Sequence, residues 1–141
     1  MDAEIIVWEE KYNLGIALVD TQHKELVNLI SQLYRACCSG EDVEAAFKAA
    51  LSRMVEYVHF HFGVEQQIME RIDYPGLKGH IKEHTTLIKN ILEAAKDYSE
   101  GKRFVPHHLV RLLKDWILSH IAVSDRQYAS FIAEHGKNIW H

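Results

Sequence analysis

Apolar residues recur along four stretches of the chain in alternating steps of three and four, and each stripe is interrupted by histidine or carboxylate. The first stripe reads His23, Leu26, Ile30, Leu33, Cys37, and the second Phe47, Leu51, Met54, Val58, His61, Glu65, Ile68, Ile72. The third reads His80, His84, Leu87, Ile91, and the fourth Leu109, Leu113, Trp116, His120. This spacing is that of the inward face of a bundle helix.

Breakers between the stripes set the boundaries. Asp20 or a neighbour is placed to cap the first helix, which is expected to end near Ser39-Gly40. The second helix is predicted from about Asp42 to Ile72, closed by the turn Asp73-Tyr74-Pro75-Gly76. The third runs from about Leu77 to Ser99, with Gly101 as its stop. Pro106 suits the first turn of the fourth, which continues towards Glu134 and stops at Gly136. Residues 1 to about 18 form an arm whose Trp8, Tyr12 and Leu14 can pack on the rest. Short connections then predict an all-α fold, an antiparallel up-down-up-down four-helix bundle with an N-terminal arm. One domain is expected over 1–141, with the bundle at about 19–135.

Composition narrows the function classes. Of 141 residues, 48% are hydrophobic and 26% charged, an ordinary globular balance. A net charge of −4 gives no basic footprint, so nucleic acid is not an expected partner. No apolar run reaches the roughly 18–20 residues of a membrane span. The acidic start Met1-Asp2-Ala3-Glu4 is unlike a secretory signal, so a cytoplasmic location is expected. The adjacent Cys37 and Cys38 fit neither a disulfide framework nor zinc spacing. Cys37 lies on a core stripe and reads as packing. Histidine is the anomaly, at ten residues.

Position accounts for that excess. His61 with Glu65, and His80 with His84, are i, i+4 pairs only about 40° apart on a helix, so each pair shares a face. In an up-down-up-down bundle, the starts of helices one and three meet the ends of helices two and four. His23, His80 and His84 come early in their helices, while His61, Glu65, His120 and Asp125 come late. All seven can therefore share one level, where burying them unpaired would be costly. Imidazole with carboxylate suits iron, zinc, copper or manganese. Seven ligands are too many for one ion and suit two. If Glu65 and Asp125 bridge both ions together with an oxide or hydroxide, five histidines divide three and two. One ion is then six-coordinate and the other five-coordinate with one open position.

Asp125 sits awkwardly on a regular helix, about 140° from His120. The apolar stripe changes phase there too, to Ile121, Asp125, Tyr128, Ile132. A kink, bulge or interruption between His120 and Asp125 is therefore expected. The remaining histidines read as bystanders. His59 points away from His61, His107 and His108 open helix four, His135 sits at a helix end, and His141 ends the sequence. Trp116, one turn before His120, can wall the site, and the charged run Lys78 to Glu83 reads as a solvated face.

The strings Trp8-x-x-x-Tyr12-x-x-Gly15 and Asp20-x-Gln22-His23-Lys24 resemble the opening of bacterial hemerythrins. So do His61-Phe62-x-x-Glu65, His80-x-x-x-His84 and Trp116-x-x-x-His120-Ile121-x-x-x-Asp125. The resemblance covers nearly the whole chain. It implies two iron ions with a bridging oxide or hydroxide, and O2 as the ligand. It places His80, His84 and His120 on the six-coordinate iron, His23 and His61 on the iron that takes O2, and Glu65 and Asp125 between them. The family often carries a second glutamate after the bridging one. Here Gln66 stands in its place, turned about 100° from the metal face.

The expected function is reversible, non-catalytic O2 binding for transport, storage, delivery or sensing, with no protein partner specified. A di-iron oxidase or peroxidase ranks lower, because such sites are carboxylate-rich with paired Glu-x-x-His motifs that are absent here. Iron or nitric-oxide handling is a third reading.

Overall fold

The computed structural model describes residues 8–37, 43–101 and 105–135. Four helical columns carry these residues: α1 (Ala17–Cys37), α2 (Val43–Arg71), α3 (Leu77–Ser99), and a fourth that is not uniform. The fourth comprises α4 (Val105–Ser119), a π-helical turn (His120–Asp125) and α5 (Arg126–His135). α1 packs on α2 and α4, and α3 packs on the same two, so the columns close into a ring. No strand occurs among the described residues. No described helix is long and apolar enough to cross a membrane.

The stripes predicted as inward are inward except at Trp116 and Ile132, which are half-buried, and Ile117 takes the buried place beside Trp116. On α2, Phe47, Leu51, Met54, Val58, His61, Glu65, Ile68 and Ile72 are all buried, and so are Leu26, Ile30, Leu33, Leu87, Ile91, Leu109 and Leu113 on the other columns. The phase change after His120 is equally clear, with Ile121, Asp125 and Tyr128 buried. The expectation for the Cys37 side chain falls outside what is described. Those for Cys38, Ser39-Gly40, Gly136 and His141 do as well, whereas His135 ends α5 as expected.

The turn between α2 and α3 shows how the sequence reverses the chain. Asp73 adopts φ 52°, the left-handed conformation that an aspartate tolerates better than most residues. The amide of Tyr74 then donates to the Met69 carbonyl at 2.9 Å and that of Asp73 to Glu70 at 3.2 Å. This pair of bonds satisfies carbonyls that a helix end leaves open. Gly76 follows because a Cβ there would lie 2.7 Å from the Tyr74 ring. α3 ends as expected before Gly101, at φ 87°.

α1 begins at Ala17, close to the expected end of the arm at about residue 18, but departs from the expectation at its cap. Asp20 is not the cap but lies within the first turn. Its carboxylate reaches back to accept from the amides of Leu14 (2.8 Å) and Gly15 (3.1 Å). There it braces the arm and also places negative charge at the positive end of the helix. Tyr12 is buried, and Trp8 and Leu14 pack against the core as predicted. The Arg126 guanidinium donates to the carbonyls of Lys11 and Asn13, tying the arm to the fourth column.

The core comes in two parts. The larger one contains Leu26, Ile30, Phe47, Met54, Val58, Phe62, Leu87, Leu113, Ile117 and Ile121. The smaller one contains Ile16, Val19, Ile68, Met69 and Tyr128. On every column the histidines and carboxylates lie between residues of the two clusters. A polar layer thus crosses the bundle with apolar packing above and below it.

Candidate metal centre

The seven residues singled out from the sequence converge in that layer. α1 supplies His23, α2 supplies His61 and Glu65, α3 supplies His80 and His84, and the π turn supplies His120 and Asp125. All seven are buried, with Glu65 and Asp125 at 0% exposure.

Their donor atoms fall into two sets. In one, single ligand atoms of Glu65, His80, His84, His120 and Asp125 lie within 4.8 Å of one another; in the other, those of His23, His61, Glu65 and Asp125 do. The two carboxylates belong to both sets. His23 Nε2 lies 3.0 Å from Asp125 Oδ2 and 3.4 Å from Glu65 Oε2. His80 Nε2 and His120 Nε2 lie 2.8 and 3.0 Å from Asp125 Oδ1, and His84 Nε2 lies 3.3 Å from Glu65 Oε1. His61 Nε2 lies 3.4 Å from the same Glu65 oxygen.

The π turn makes this convergence possible. Its i→i+5 bonding spans one more residue than that of an α-helix and widens the turn, so a residue five on returns close to the starting face. His120 opens that turn and Asp125 closes it, and both point inward. The irregularity expected from the sequence is therefore real, and its cause is the five-residue spacing of the two side chains.

Hydrogen bonds from outside the cluster decide which way two imidazoles present themselves. Gln22 Oε1 lies 2.7 Å from His61 Nδ1. An amide oxygen only accepts, so Nδ1 donates to it and Nε2 is left facing the carboxylates. Glu83 Oε1 does the same for His120 from 2.9 Å. The Tyr128 hydroxyl donates to Glu65 Oε2 at 2.7 Å. Phe62 stacks on His84 with centroids 3.6 Å apart, and Trp116 stacks on His120 at 4.3 Å, the wall expected of it.

The charges inside the layer are strongly coupled. Burial pulls the pKa of His23 down, but the Asp125 and Glu65 carboxylates outweigh it and raise the value to about 9. His80 is likewise raised to about 9, by the same carboxylates against burial. Burial and the neighbouring imidazoles push His84 down. Burial works to raise both carboxyl groups, yet the surrounding imidazoles hold Glu65 and Asp125 well below the usual range.

The donor set fits a metal pair. Buried atoms without a hydrogen-bond partner include His23 Nε2, His80 Nε2, Glu65 Oε1 and both Asp125 oxygens. They crowd one another without aligning as donor and acceptor. Such groups buried without a partner are costly, and cations between them would remove that cost. Nitrogen with carboxylate oxygen is the donor chemistry of first-row transition metals.

Other expectations divide. His59, His107 and His108 are exposed and outside the cluster, and Gln66 is half-buried and belongs to neither donor set. Glu83 is exposed, as expected of the Lys78 to Glu83 face, but it also takes part in the site. Its carboxylate accepts from His120 and from the Ser124 hydroxyl at 2.6 Å. Glu83 lies one residue before His84, off the apolar stripe, so periodicity carries no signal for it. Periodicity carries no signal for Gln22 either. Its burial beside His23, at 5% exposure, is the sort of buried polar group whose partner only the fold reveals.

Residues 14–132 match the family described as the Hemerythrin HHE cation binding domain. The chain is 28% identical over 131 residues to a bacteriohemerythrin of Stenotrophomonas maltophilia, covering 93% of this chain and 84% of that relative. It is 31% identical over 127 residues to a bacteriohemerythrin of Pseudomonas aeruginosa, covering 90% and 81%. A crystal structure of wild-type hemerythrin superposes with a TM-score of 0.81 at 23% identity, over 89% of this chain and 96% of that one. That last likeness shows the shared four-helix bundle.

Proposed function

The chain belongs to the hemerythrin family, and from that membership and its buried cluster we propose that it binds O2 reversibly at a pair of iron ions. His80, His84 and His120 would hold one ion and His23 and His61 the other, with Glu65 and Asp125 available to both. The observation that carries this reading is the division of donors into two sets with both carboxylates in common. When bound, a ferrous pair supplies the two electrons that O2 takes up on binding and returns on release.

The chain's own residues set the conditions for reversibility. Gln22 and Glu83 fix the orientation of His61 and His120, and Tyr128 holds Glu65. Apolar packing on both sides of the layer, with Phe62 and Trp116 against the imidazoles, keeps water away and lowers the local dielectric. Five imidazoles to two carboxylates make a donor set poorer in anionic oxygen than the carboxylate-rich oxidase sites. We read residues 1–141 as one such domain, a binder of O2 and not an enzyme.

The test is anaerobic iron loading followed by visible spectroscopy through cycles of O2 and vacuum. Two irons per chain, with a visible band that develops under O2 and fades under vacuum, support the proposal. Rapid irreversible oxidation with no reversible band contradicts it and favours an oxidase or iron-handling role.

A further inference from the structure

Among the groups that touch the cluster, Glu83 differs in making two contacts with one turn of another column. It stands on α3 immediately before His84, yet its contacts are on the π turn of the fourth column. One oxygen, Oε1, accepts both the His120 Nδ1–H at 2.9 Å and the Ser124 Oγ–H at 2.6 Å. His120 opens the π turn, and Ser124 directly precedes Asp125, which closes it.

We propose that Glu83 is a positioning residue that clamps both ends of the π turn, orienting His120 directly and Asp125 through Ser124. The inference rests on the metal-pair reading above and deepens it. A π turn is a rare, locally less favourable backbone that persists where other contacts define it. Here one carboxylate oxygen spans the turn and keeps its two inward side chains facing the three-histidine set. α3 therefore contributes to that set twice, with His80 and His84 and with the clamp on the fourth column.

Glu83 also suits a clean test. Its side chain is 48% exposed, on the wall of a groove of about 600 Å³ shared with Trp116, Leu112 and Val123. Replacing it leaves the apolar core unchanged. Glu83→Gln keeps an acceptor oxygen, Glu83→Ala removes it, and Ser124→Ala cuts only the second contact.

The experiment loads wild type and the three variants with ferrous iron without oxygen. It then records the exchangeable imidazole N–H signals by NMR and the rate of iron release to a chelator. Loss of an outer partner of a ligating histidine typically costs about 10–100-fold in metal affinity. Glu83→Ala is expected to lose the protected His120 Nδ1–H signal and to release iron faster by a factor in that range. Glu83→Gln is expected to keep the signal and release iron close to the wild-type rate. Ser124→Ala is expected to keep the signal with a smaller acceleration, and it still reads the clamp if Glu83→Ala fails to fold. A protected His120 signal and wild-type release in Glu83→Ala, or wild-type release in Ser124→Ala, would overturn the clamp. If wild type itself took up no iron pair, the metal-centre reading would fall, while the His120 signal would still decide whether Glu83 holds the ring.

Discussion

The hydroxyl of Tyr128, fully buried on α5, donates a 2.7 Å hydrogen bond to Glu65 Oε2 on α2. Burial pushes the phenol pKa well above its ordinary value, and the Glu65 and Asp125 carboxylates push it further the same way. Tyr128 therefore remains a donor across the physiological range and holds one face of a carboxylate shared by both donor sets.

Removing that hydroxyl leaves a buried carboxylate oxygen short of its donor. Tyr128→Phe is expected to keep the helical content and lose about 2 kcal/mol of stability, in the range for hydrogen bonds to charged groups. Chemical denaturation monitored by circular dichroism checks this. An unchanged midpoint would mean that the hydroxyl contributes nothing to the fold.

His61 distinguishes the two donor sets, because it belongs to only one of them. His61→Ala is expected to retain the bundle and the metal held by His80, His84 and His120 while losing the other. Metal per chain should then fall from about two towards one, because the smaller set keeps a single imidazole. His59→Ala, altering an exposed neighbour, should bind metal as wild type does. Full occupancy in His61→Ala would remove that histidine from the ligand set.

Protonation gives a third check. In the metal-free fold His23 and His80 titrate at about 9, above the ordinary 6.5. A raised histidine value means that their pairing with Asp125 and Glu65 stabilises the metal-free fold fully below about pH 6.5. That contribution fades as pH rises through about 9. Metal must displace the same protons, so binding should release protons at neutral pH and strengthen up to about pH 9. Calorimetric titration of zinc in buffers of different ionisation enthalpy measures this release. Affinity independent of pH between 7 and 9 would contradict it.

Metal removal should also be felt as stability. A ligand that binds only the folded state stabilises it by about 2.7 kcal/mol when present at 100 times its dissociation constant. The chelated protein is therefore expected to melt well below the loaded one while keeping its helices. The reason is that, beyond the attraction between imidazoles and carboxylates, chelation leaves the crowded Asp125 and histidine atoms without hydrogen-bond partners. Equal melting temperatures would mean that the cluster does not bind the metal tested.

The fold and the inner cluster were legible because both are written in periodicity. The buried α2 stripe from Phe47 to Ile72 repeats at the helical period, and its two polar members, His61 and Glu65, stand out against it. The anomaly at His120 and Asp125 was legible for the converse reason, since a five-residue step does not fit an α-helix, and the π turn resolves it. Gln22, Glu83 and the Tyr128 hydroxyl were not legible as partners. Each acts on a side chain 37 to 63 positions away, on another column. No local pattern encodes a contact that depends on how two helices are rotated against each other. Asp20 illustrates a smaller limit. Its type suits a helix start, but whether it caps the helix or braces the preceding loop depends on where the arm packs.

The central claim is that two metal ions share Glu65 and Asp125, and anomalous diffraction at the iron edge from crystals of the iron-loaded protein tests it most directly. The account predicts two peaks inside the polar layer, one among His80, His84 and His120 and the other beside His23 and His61, with both carboxylates touching each. A single peak, or peaks that leave Glu65 or Asp125 in contact with only one ion, would contradict it.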